Sequence, residues 1–148
     1  MRTLTLLFIS AAAAMAADIS GIIKLDGPQP KRPPLPLTPE SRKLYEGKPY
    51  PRDEVELVNE KREIQNVFVY IQKGLPAGKT YPAPKKPALL DQQRSMFRPR
   101  IQGLFVGQDF AMRNSDPIIH NVRSLSQENR PFNIAQPAGT PDRLKRFS

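Results

Sequence analysis

The chain of 148 residues contains no cysteine and one histidine. The first absence excludes disulfides and every thiolate metal ligand. The second argues against zinc and haem centres of the usual types, which need several convergent donors. Charge is lopsided: 14 acidic residues stand against 23 basic ones, giving a formal net charge of +9. The longest apolar stretch, at the N-terminus, is too short to span a bilayer in comfort, which takes about 20 residues. No internal repeat is visible.

What is abundant is proline, 17 residues of the chain, or about 11% against a usual ~5%. Proline breaks helices and is excluded from central strands, so many loops and little helix are expected. The length suits one domain, and 39% hydrophobic with 25% charged residues is a globular composition.

The N-terminus has the layout of an export signal. Arg2 precedes "LTLLFI" and "AAAAMAA", and Ala14-Met15-Ala16 fits an A-x-A cleavage site. Residues 1–17 are therefore predicted to be a signal peptide, with a mature domain over 18–148, periplasmic or secreted and not transmembrane after cleavage. The competing reading of the same segment is an uncleaved anchor or a core helix. Cleavage after Ala16 removes Arg2 and lowers the charge from +9 to +8. Export, scattered basic residues and the lack of an aromatic-basic module speak against nucleic acid. The densest clusters, "RSMFRPR" (94–100) and "RLKRF" (143–147), read as solvated strand faces or as docking points for an acidic redox partner or an anionic envelope surface.

Along the chain, "DISGIIKLDG" (18–27) reads as a strand and turn. The Pro-rich segment 28–39 reads as extended. Thr38 as N-cap, Pro39 at the first helical position and Gly47 as a stop predict one short helix near 39–46. In 53–63, Val55, Leu57 and Asn59 alternate with carboxylates, which favours a half-exposed strand. "IQNVFVYIQKG" (64–74) is β-branched and aromatic on both faces, so it predicts a central strand. Residues 75–87 read as a long surface loop. Short strands are then predicted at 88–92, 96–99, 101–107, 109–114, 118–125 and 132–136. Residues 101–114 are expected to form a hairpin turning at Gly107-Gln108, with Leu104, Val106 and Phe110 in the core. The pattern is that of an all-β sandwich or barrel.

Little in the sequence carries catalysis, and an enzyme is not expected. Ser115 and Asp116 stand near His120, but no nucleophile elbow is present. Glu54 and Glu56 would share a strand face as a glycosidase pair could, yet Lys61 and Arg62 flank them as on an exposed surface. In "NSDPIIHNV" (114–122), extended backbone puts Ile118, His120 and Val122 on one side, with Asn121 opposite. His120 would lie in apolar company. On spacing alone it is either a satisfied core residue or a ligand.

Residues 91–141, "DQQRSMFRPRIQGLFVGQDFAMRNSDPIIHNVRSLSQENRPFNIAQPAGTP", together with "ISGIIKLDGPQP" and "NVFVYIQKGL", resemble the secreted bacterial cupredoxin-like proteins, plastocyanin-like or methylamine utilisation proteins. The resemblance implies a Greek-key β-sandwich that binds one copper ion and shuttles single electrons. It makes His120 the first copper ligand and Asn121 the neighbour that ties the ligand loops together by hydrogen bonds. The family's Cys-x-x-His-x-x-Met loop has no counterpart, since the sequence runs out at "RLKRFS". Ser95 stands where the family commonly has cysteine, and Arg123 where a second histidine often follows. A blue-copper site needs a thiolate, two imidazoles and usually a weak axial thioether. The expectation is thus a sandwich incomplete at its C-terminal end, a truncated or copper-free form with copper absent or weakly bound. The alternative is a non-redox extracytoplasmic binding module. Missing strands would leave a cleft and an unpaired edge that favours dimerisation.

Overall fold

The computed structural model describes residues 20–54 and 57–148. The predicted signal peptide with its cleavage site, Asp18 and Ile19 of the first strand, and Val55 and Glu56 lie outside the described residues.

The single helix among the described residues, α1 (Pro39–Lys43), starts as the sequence predicts. Thr38 is extended at φ −66° and ψ 162°, and its hydroxyl accepts the backbone N–H of Ser41. Proline follows, where a missing N–H costs nothing. A turn then runs to Gly47, whose φ of +68° suits a residue without a side chain.

Every other element is β. Strands β1 (Leu57–Val58) and β2 (Ile64–Gln65) form a small antiparallel pair. Strands β3 (Ala88–Gln93), β4 (Met96–Arg98), β5 (Asp109–Asn114) and β8 (Arg143–Arg146) form one sheet in the order β4-β3-β5-β8. Within it β3 runs parallel to β5, and the other neighbours are antiparallel. Strands β6 (His120–Ser124) and β7 (Phe132–Gln136) make a separate antiparallel pair. The described residues are therefore mostly β, with one tiny helix and several sheets. No helix among the described residues is long and apolar enough to cross a membrane.

The core sits between the four-stranded sheet and the β6–β7 pair. Phe110 and Met112 of β5 and Val122 of β6 are its buried centre, with Leu90, Phe132, Ile134 and Phe147 packed around them. Alternation explains this. Phe110, Met112 and Asn114 face inward from β5 while Arg113 stays exposed. Beneath the core lies a buried amide network. Gln92 donates to Gln136 Oε1 at 2.9 Å, and Gln136 donates to the Met112 carbonyl at 2.9 Å.

Several sequence expectations need correction. Residues 66–74 are not a central strand: only Ile64 and Gln65 pair, and Val67 to Ile71 are exposed. Their composition suits a sheet, but no described strand lies alongside them. The 101–114 hairpin does not form either. Residues 101–107 are irregular and only 109–114 is a strand, so Phe110 reaches the core while Leu104 and Val106 remain exposed. The antiparallel partner that β5 takes instead is β8, whose exposed residues fit the reading of 143–147 as a solvated strand face. Among the described residues, the strand expected over 18–27 is a bridge between Lys24 and Glu63, and that expected over 53–63 contains β1 at Leu57–Val58. Residues 75–87 form neither helix nor strand.

Candidate functional site

The site is built on the turn between β3 and β4. Arg94 and Ser95 both take left-handed backbone, φ 51° and 55°, as a two-residue hairpin turn of the mirror-image type requires. Neither residue favours that conformation, and Asp116 holds them there. Its Oδ1 accepts the Arg94 N–H at 2.6 Å and its Oδ2 accepts the Ser95 N–H at 2.7 Å. Asp116 is itself fixed by Asn114, whose side-chain oxygen accepts the Asp116 N–H at 3.0 Å. Asn114 Nδ2 in turn donates to the carbonyls of Ile118 and Gln136.

The same carboxylate takes the histidine. His120 Nε2 lies 2.6 Å from Asp116 Oδ2. An ionised carboxylate only accepts, so Nε2 carries the proton and Nδ1 is the nitrogen left for a ligand. This corrects the expectation of purely apolar company for His120: Val122 is buried beside it, but the ring is anchored to a charge. Carboxylates that grip the far nitrogen of an imidazole fix its tautomer and orientation, as they do behind metal-binding histidines.

Two cavities meet at this ring. One, of about 200 Å³, is lined by Gln92, Ser95, Met96, Phe97, His120 and Asn121. The other, of about 400 Å³, lies toward α1 and is lined by Thr38, Ser41, Ile118, His120 and Asn121 among others. Helix α1 is tied to the turn: Ser95 Oγ lies 2.8 Å from Ser41 Oγ, and the Tyr45 hydroxyl donates to the Arg94 carbonyl. Burial pushes the Tyr45 phenol above its ordinary pKa. Two buried oxygens near the site, Asp91 Oδ1 and Gln92 Oε1, find no partner among the described residues.

The predicted site residues divide. His120 and Asn121 both line the cavities. The residue that joins the loops is Asp116, which sequence reasoning had weighed only as a triad acid; the Asp-Pro turn before the histidine was its one visible signal. Ser115 does not approach the ring: its hydroxyl donates to Asp91 Oδ2 at 2.9 Å. Glu54 is not a free carboxylate on an open face, because Arg98 clasps it at 2.7 and 3.2 Å. Ser95 and Met96 line the smaller cavity, while Arg123 is exposed on β6.

The donor set does not fit a blue-copper ion. The whole sequence supplies one imidazole and no thiolate. Met96 could add a thioether to the His120 cavity, but no group of three or more His, Cys, Asp or Glu among the described residues could hold a metal. Comparison of the chain with protein-family models, with curated proteins and with solved structures finds no match.

Proposed function

We propose that this chain is an exported, cupredoxin-like β-sandwich domain that serves as a copper-free binding module. The observation that supports it is the His120–Asp116 pair, 2.6 Å apart at the junction of two cavities, in a chain without a thiolate. Such a pair presents a polarised imidazole to a ligand and lacks the copper–thiolate bond on which blue-copper electron transfer depends. Export rests on residues 1–17, and intact-mass measurement of exported material should give a chain beginning at Ala17 or Asp18. An acidic partner or an anionic envelope surface would meet the exposed cations of β8, Arg143 and Lys145.

Titration with Cu(II), followed by visible and EPR spectra with His120→Ala in parallel, tests the reading. Weak binding without an intense charge-transfer band is the expected result. A stoichiometric blue site that requires His120 would overturn it. That result would favour the second reading, an electron carrier whose other ligands come from outside this sequence. The geometry speaking for that alternative is the orientation of His120, whose Nδ1 is left free while Asp116 holds Nε2.

A further inference from the structure

Val67, Phe68, Val69, Tyr70 and Ile71 are residues that favour strands, yet no backbone hydrogen bond joins 67–75 to another described residue. The Phe68 and Tyr70 rings stack with centroids 6.2 Å apart. The Phe68 ring also lies against Gly103, where an added Cβ would fall 2.5 Å from it. That contact joins the first apolar run to a second, made of Ile101, Leu104, Phe105 and Val106. These nine side chains are between 36% and 77% exposed. Single exposed apolar residues are ordinary on a protein surface, but two exposed apolar runs in contact mark an interaction site.

Charge selects the partner. Neither 64–72 nor 101–108 contains a charged residue, on a chain whose formal charge is +9. Two copies can therefore meet here without opposing their cations. The two edges of the four-stranded sheet are less suited to pairing. Strand β8 carries Arg143, Lys145 and Arg146 on an exposed edge, and β4 is three residues long and runs into Pro99.

We propose that a second copy of this chain covers the patch, with residues 67–71 of the two copies paired as antiparallel strands about a twofold axis near Val69. The pairing satisfies the N–H and C=O groups on the facing edge of each segment and covers apolar side chains of both runs. It is isologous, so it closes at two copies.

Sedimentation velocity of the full chain, from low micromolar concentration upward, should show a dimer that dissociates on dilution. Val69→Lys sets two like charges across the axis and should weaken the dimer by at least about tenfold. Val69 is 73% exposed in the single chain, so the variant should keep the wild-type circular dichroism and unfolding midpoint under monomeric conditions. The absence of cysteine makes cross-linking unambiguous: Val69→Cys should form a disulfide-linked dimer under mild oxidation, and Leu144→Cys on β8 should lag far behind. A wild type that stays monomeric at every concentration would overturn the proposal. So would a dimer insensitive to Val69→Lys, faster linking through Leu144→Cys, or assembly that grows past two copies.

Discussion

His120 Nε2 sits 2.6 Å from Asp116 Oδ2, and the same carboxylate receives the backbone N–H groups of Arg94 and Ser95. One buried side chain thus sets both the histidine's orientation and the β3–β4 turn. Asp116→Asn keeps the shape but turns an NH₂ group toward a donor. The expected loss is about 2–4 kcal/mol, because a charge-assisted bond disappears and a buried N–H is left unpaired. Urea unfolding checks it; a change within about 0.5 kcal/mol, as for an ordinary surface substitution, would show that the turn does not depend on this carboxylate.

The turn itself carries residues poorly matched to its backbone. Arg94 and Ser95 hold φ values of 51° and 55°, which Asn-Gly adopts with less strain. The double substitution Arg94→Asn with Ser95→Gly should stabilise the protein by up to about 0.5–1 kcal/mol, relief of the two left-handed residues outweighing the lost Ser95 Oγ contact with Ser41. The backbone N–H donors to Asp116 are retained. A lower thermal midpoint for the double variant would contradict this account.

Gln136 is fully buried and bridges Gln92 to the Met112 carbonyl. Gln136→Leu removes both bonds at once and leaves that carbonyl orphaned beside the core. Destabilisation of about 2–3 kcal/mol is expected. Gln136→Leu with Gln92→Leu should cost less than the two single losses added, since the Gln92 N–H facing Gln136 is already unpaired once Gln136 is gone, although the bond to the Arg113 carbonyl is lost as well. A double-mutant cycle reads the coupling, and strictly additive losses would mean the network does not act as a unit.

Asp142 accepts Arg113 at 3.0 and 2.8 Å. The hydrogen bond from Arg113 is the main reason its carboxyl is held below the ordinary range. The folded value is below the unfolded one, so this stabilisation is present above the ordinary carboxylate range and is lost as pH falls through the folded value. Asp142→Asn should flatten the acid limb of the stability profile below about pH 4. The effect should be small, because water and salt screen a pair at the surface. Parallel pH profiles for wild type and variant would remove Asp142 from the account.

The sequence by itself determined the β character, the helix start at Thr38-Pro39 and the strands at 109–114 and 132–136. Each of these is a local matter: a cap, a proline, a period-two alternation such as Phe110, Met112 and Asn114 that pays off on any half-buried sheet. The absence of a thiolate and the single imidazole were equally plain, because a ligand set cannot exceed its composition.

Tertiary structure alone decided the rest. Residues 66–74 have the right side chains for a central strand, but a strand exists only where another strand supplies the ladder, and among the described residues none does. Likewise β5 takes β8 rather than 101–106 as its antiparallel neighbour, a choice between distant segments that no local pattern reveals. The carboxylate that orients His120 comes from Asp116, four residues back across a turn, and the same carboxylate reaches the backbone of Arg94 and Ser95, more than twenty residues earlier. Side-chain identity sets what each group can bond to. Chain topology sets which partner arrives.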